Sequence, residues 1–106
     1  MPKYLFLANY VGEGVKGLLK EGGSGRRTAV QRMAKSVGGK IEGFYFGFGD
    51  VDAYVIADLP DNAAAAAVAL TVNASGAAAV KTVVLMTPEE VDGAVQKSPA
   101  YRPPGQ

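Results

Sequence analysis

Neither cysteine nor histidine occurs anywhere in the 106 residues. The missing cysteine excludes disulfides, thiolate nucleophiles and thiolate metal sites, and suits a reducing compartment. The missing histidine removes the commonest general base, the usual catalytic triads, and the usual ligands of zinc, non-haem iron and haem. A charge of one sign is missing too. Eleven basic and ten acidic residues leave a net +1, so no global field draws the chain to nucleic acid or to an anionic membrane. No apolar run approaches the roughly 18 residues of a membrane span, and the first residues show no basic-then-apolar signal pattern. The expectation is a soluble, cytoplasmic protein with no metal, no cofactor, and no nucleic-acid or membrane partner. Its length provides for a single hydrophobic core.

What is present centres on residues 40–59, a β-rich run ending at Phe48 and another beginning at Val51, with Gly49 and Asp50 between them. That pattern reads as a β-hairpin with a tight turn at Gly49 and Asp50. A two-residue loop pairs Phe48 with Val51, Phe46 with Ala53 and Phe44 with Val55 on one face. The other face pairs Gly47 with Asp52, Tyr45 with Tyr54 and Gly43 with Ile56. One face is wholly apolar, and the other mixes tyrosines, glycines and one carboxylate. Neither is a solvent face.

Before the hairpin, residues 3–11 are aromatic and aliphatic without a breaker and read as a central strand. Residues 12–37 follow helical spacing, interrupted at Gly22 and Gly23, with Ser24 placed to cap the second segment and Gly38 and Gly39 to stop it. After Pro60, Asp61 is a natural N-cap for an alanine-rich helix over 62–74. A strand from Ala78 to Met86 follows, and then a capping box at Thr87-Pro88-Glu89-Glu90 opens a short helix to about Lys97. The order is β, broken α, β, β, α, β. It predicts an α+β, ferredoxin-like βαββαβ domain over 1–97 with an antiparallel four-stranded sheet, and a Pro-rich tail over 98–106. Both long helices then cover one face of the sheet, leaving the other bare and rich in apolar residues. Such a patch exceeds the roughly 300–600 Å² that monomers tolerate, so a homodimer closing into an α+β barrel, or a higher oligomer, is expected.

Lys-Tyr-Leu-Phe-Leu-Ala-Asn-Tyr, Glu-Gly-Val-Lys-Gly-Leu-Leu-Lys-Glu-Gly-Gly, Ser-Val-Gly-Gly-Lys, Phe-Tyr-Phe-Gly-Phe-Gly-Asp-Val-Asp and Asn-Ala-Ser-Gly-Ala occur in that order. Through these motifs, over roughly residues 1–95, the chain resembles GYD-domain proteins. The resemblance implies a dimeric α+β barrel and no assigned activity. The Gly-x-Tyr-Asp motif of that family maps onto Gly49, Asp50, Val51 and Asp52. Val51 stands where the family usually has tyrosine, so a role that needs that phenol does not carry over.

The candidate site residues come from the mixed face. Asp52, Tyr45 and Tyr54 lie together beside Gly43 and Gly47, whose missing side chains leave room for a ligand. A carboxylate among phenols fits a general base with a tyrosine as acid, whereas the structural alternative has Asp52 accepting backbone hydrogen bonds and the tyrosines packing across a dimer. Asn9 and Asn73 are short polar groups that orient a ligand carbonyl or bond backbone locally. Arg26 and Arg27 stand at a helix start that suits a carboxylate or phosphate. Arg26 is read as solvated, and Arg27 is retained as a pocket candidate. Asp50, Asp52, Asp58 and Asp61 lack EF-hand spacing, and no bound metal is expected. Gly12-Glu13-Gly14-Val15-Lys16-Gly17 matches a dinucleotide fingerprint literally, but strand two turns straight back as a hairpin, which a nucleotide fold does not do. The expectation is a small homodimer that binds a small organic molecule in a pocket formed by the sheet. The alternatives are a cofactor-free oxygenase-, isomerase- or cyclase-like enzyme using Asp and Tyr, and a purely structural dimerisation module. Whether the chain is an enzyme is left open.

Overall fold

Strand β1 (Lys3–Tyr10) alternates strictly, with Tyr4, Phe6 and Ala8 buried on one side and Leu5, Leu7 and Asn9 on the other. In the computed structural model, which describes residues 1–106, it pairs antiparallel with β3 (Ala53–Asp58) and with β4 (Ala78–Leu85). β2 (Lys40–Phe46) pairs with β3, giving the strand order β2-β3-β1-β4. The chain runs β1, α1 (Gly12–Ser36), β2, β3, α2 (Asn62–Ala74), β4 and α3 (Pro88–Val95), so the expected α+β ferredoxin-like order is present. No helix is long and apolar enough to cross a membrane.

α1 is two helical segments joined at Gly22, whose φ of 75° and ψ of 172° only glycine adopts readily. The second segment therefore starts at Gly23, and Ser24 falls inside its first turn, where its carbonyl accepts from Thr28 Oγ1 at 3.1 Å. The break lets the chain pass over Phe46, whose ring leaves little room for a side chain at Gly23. α1 ends in a Schellman motif. Gly38, at φ 86°, donates to the Lys35 carbonyl at 3.0 Å, and Gly39 donates to the Ala34 carbonyl at 2.9 Å. α2 starts where Asp61 accepts from the Ala64 amide at 2.9 Å, and α3 starts with a reciprocal Thr87–Glu90 capping box.

The hairpin register is as expected for Phe46 with Ala53, Tyr45 with Tyr54, Phe44 with Val55 and Gly43 with Ile56. The turn is different. The strands stop at Phe46 and resume at Ala53, so Gly49 and Asp50 lie in a six-residue connection rather than forming a two-residue turn. The positive φ, 59°, falls on Phe48 instead of Gly49. Phe48 is held there by stacking on Phe46, with ring centroids 5.6 Å apart and planes 8° from parallel. A bulge at Glu42 shifts the outer half of β2 by one residue. Glu42 there pairs with Lys3, whose ammonium also lies 3.6 Å from the buried Asp58 carboxylate.

The core lies between the sheet and the helices, built from Tyr4, Phe6, Val55, Ala57 and Leu59 with Ala34 of α1 and Ala65 and Val68 of α2. The buried Tyr4 hydroxyl donates to Asn62 Oδ1 at 2.6 Å, which fixes the start of α2 over the sheet. The opposite face carries no helix. Two rows cross it, Gly43, Ile56, Leu5 and Val83, then Tyr45, Tyr54, Leu7 and Lys81. α3 buries none of its residues, and the segment from Ser98 onward contains no helix or strand.

Candidate functional site

An apolar, partly open space lies on the helix side of the sheet. A chamber of about 50 Å³ lies between the four strands and the inner faces of α1 and α2, walled by Phe6, Phe44, Val55, Val30, Met33 and Val68 among others. Fourteen of its fifteen lining residues are hydrophobic, and the exception is Arg26. Arg26 reaches this position because it shares a helical stripe with Val30, Met33 and Val37, one turn from the break at Gly22.

Tyr10, Arg26, Val72 and Ala78 line both this chamber and a wider vestibule of about 350 Å³, which also meets Glu13, Glu21, Thr71 and Ser75. These four shared residues form the neck. The Arg26 guanidinium is only loosely paired, with Nη1 3.8 Å from Glu21 Oε1, while its Nε is buried with no hydrogen-bond acceptor. Burial pushes the Tyr10 hydroxyl above the ordinary phenol range, while the charge of the Arg26 guanidinium and its hydrogen bonding to the phenol oxygen pull in the opposite direction. The hydroxyl is therefore protonated and a donor at neutral pH. The neck thus offers two donors at the mouth of an apolar chamber, chemistry that holds one acceptor oxygen on an otherwise greasy molecule.

The residues singled out from the sequence lie elsewhere. Asn9 and Asp52 do come together: the Asp52 amide donates to Asn9 Oδ1 at 3.0 Å, and Asp52 Oδ2 accepts from the Tyr10 amide at 3.0 Å. The carboxylate thus clamps the hairpin connection to the end of β1. Tyr45 and Tyr54 are cross-strand partners on the open face, both exposed. Arg27 is exposed and lines a shallow groove along the β2 edge with Thr28, Gln31 and Tyr45, away from Asn9 and Asp52. The reading of the two arginines is thereby reversed, because Arg26 is the one on the inward stripe. The Asn73 side chain does not bond near its own helix end. Its Oδ1 accepts from the Val80 amide at 2.7 Å and its Nδ2 donates to the Val80 carbonyl at 3.3 Å, so it satisfies the outer edge of β4.

Sequence reasoning did not select Tyr10 or Arg26. Both carried a signal: Tyr10 continues the alternation of Tyr4, Phe6 and Ala8, and Arg26 sits four residues before Val30 on the apolar stripe. Of the fingerprint glycines, only Gly14 has a tight contact, since a Cβ there would lie 1.9 Å from the Ala77 carbonyl oxygen, while Gly12 and Gly17 face open space. That spacing serves helix packing. No group of three or more acidic side chains is arranged to hold a metal ion. No curated protein and no solved structure matches the chain. The family model described as GYD domain matches residues 4–95, which is nearly the whole folded unit, and the chain belongs to the GYD-domain family.

Proposed function

We propose that this protein binds a small, predominantly apolar organic molecule in the chamber between its sheet and its helices together with the vestibule that shares its neck. The composition of the chamber carries the proposal: an interior space lined almost entirely by hydrocarbon is disfavoured for water and favourable for an apolar guest. A thermal-shift and NMR titration with simple aromatic hydrocarbons tests it. Binding raises Tm and perturbs the Val55, Val68 and Met33 methyl signals, and Ala8→Val, which fills the chamber, abolishes the effect. Methyl signals that stay unmoved at millimolar probe overturn the proposal.

The bare face of the sheet supports a homodimer as the working form. Leu5, Leu7, Ile56 and Val83 lie side by side there with Tyr45 and Tyr54, which are 69% and 37% exposed. Covering that face with a second copy supplies the layer that the single chain lacks. Light scattering is expected to give twice the chain mass for the parent and a single chain mass for Leu7→Lys. The cytoplasm is the working location, to which a cysteine-free chain is suited. A cofactor-free enzyme using Asp52 and a tyrosine is the competing class. Turnover that disappears in a folded Asp52→Asn variant would favour it.

A further inference from the structure

We infer that the molecule held at this site carries a neutral carbonyl oxygen, seated at the neck between Arg26 Nε and the Tyr10 hydroxyl, with its hydrocarbon body shared between the chamber and the vestibule. This rests on the small-molecule reading above and adds the chemical class of the ligand to it.

Three observations lead there. Arg26 Nε is buried without an acceptor, and a buried donor left unmade costs far more than an exposed one. Tyr10 and Arg26 both line the chamber and the vestibule, so an oxygen at the neck is within the surroundings of both while the carbon attached to it extends into the two spaces. The third is the charge balance. Glu21 stands 3.8 Å from Arg26 Nη1, and Glu13 also faces the vestibule, itself 3.4 Å from Lys16. A carboxylate ligand would meet these two carboxylates on entry and compete with Glu21 for the guanidinium. A ketone or aldehyde oxygen accepts from Nε without that repulsion and leaves the Arg26–Glu21 pair in place.

Three probes of similar shape separate the possibilities: ethylbenzene, acetophenone and benzoate, titrated against the full-length protein by NMR and calorimetry. Acetophenone is expected to bind at least about tenfold more tightly than ethylbenzene, the factor that a hydrogen bond to a charged donor provides. Benzoate is expected to bind more weakly than acetophenone. In Arg26→Met the acetophenone advantage disappears while ethylbenzene binding is retained, and in Tyr10→Phe the advantage is reduced. Tyr10→Phe keeps the ring packing, so it reads the neck even where Arg26→Met fails to fold. No binding of any probe to the parent would remove the small-molecule reading itself. Ethylbenzene and acetophenone binding equally, or an advantage that survives both substitutions, would overturn only the carbonyl assignment. Benzoate binding most tightly would replace the neutral acceptor by an anion and overturn the inference as stated.

Discussion

Tyr10 shows how one residue can be tied through its backbone and its side chain at once. Its amide is held by Asp52 at the hairpin end, and its ring reaches into the neck beside Arg26. Burial raises its hydroxyl pKa, so below about pH 10 the folded and unfolded chains are both protonated and its contribution is constant. As pH climbs past that value the unfolded chain ionises first, and stability falls until the pH passes the folded value. Lys3 acts in the same direction, its ammonium held above the ordinary lysine range chiefly by its hydrogen bond to Glu42, with burial opposing and Asp58 assisting. Stability is therefore expected to fall above about pH 10. Tyr10→Phe should flatten that drop and remove a late-titrating phenol from the alkaline absorbance curve. Identical curves for parent and variant would show that the hydroxyl is not buried at the neck. Asn9 and Asp52 were legible in the sequence as polar groups at strand ends. The pair of hydrogen bonds exchanged between the Asn73 side chain and the Val80 backbone was not, because it depends on how α2 lies along the β4 edge, which no local pattern encodes.

At the scale of elements, local chemistry spoke clearly wherever one segment decides its own structure. The break in α1, the Asp61 cap, the Thr87–Glu90 box and the paired faces of β2 and β3 all follow from residues close in sequence. The hairpin connection did not, because Phe48 takes the left-handed backbone while Gly49, the residue suited to it, does not. Stacking of Phe48 on Phe46 overrides the local preference. The glycines of α1 permit a direct test of what its N-terminal half is for. Gly14 sits against the Ala77 carbonyl, which also accepts from the Val11 amide at 3.1 Å, so the helix start is pressed onto the strand leading into β4. Gly14→Ala is expected to destabilise by about 1–3 kcal/mol through overpacking. Gly17→Ala, in open space within the same helix, should stabilise by about 0.5–1 kcal/mol by lowering the entropy of the unfolded chain. Urea denaturation of the two variants measures both. Equal effects would mean that the close approach of α1 to Ala77 is absent and that the glycine spacing has another purpose.

The whole molecule is longer than its residue count requires. Its radius of gyration is 16.8 Å and its extents are 57 × 33 × 22 Å, whereas a compact chain of this size has a radius near 13 Å. The excess comes from the C-terminal arm, in which α3 is well capped yet exposes Val91 at 47% and Val95 at 67%, with Tyr101 exposed beyond it. Val91 and Val95 are four residues apart and share one face of the helix. An eight-residue helix is marginal in water by itself, and capping supplies only part of what is needed, so its helicity calls for a surface to lie on. The same chain leaves a sheet face bare, and β4, from which the arm departs, forms one edge of that face. In a two-fold dimer each arm therefore leaves its own sheet alongside the partner copy. Amide exchange should accordingly depend on concentration. The amides of Val91–Val95 are expected to exchange nearly unprotected in dilute protein and to gain protection in step with formation of the proposed dimer, followed in parallel by light scattering, while those of β1 stay protected throughout. Val95→Lys should lower that protection without changing the exchange of β1. Protection of α3 that is equal in a Leu7→Lys variant shown by light scattering to be a single chain would mean that the helix is stable alone and that the arm needs no second copy to lie against.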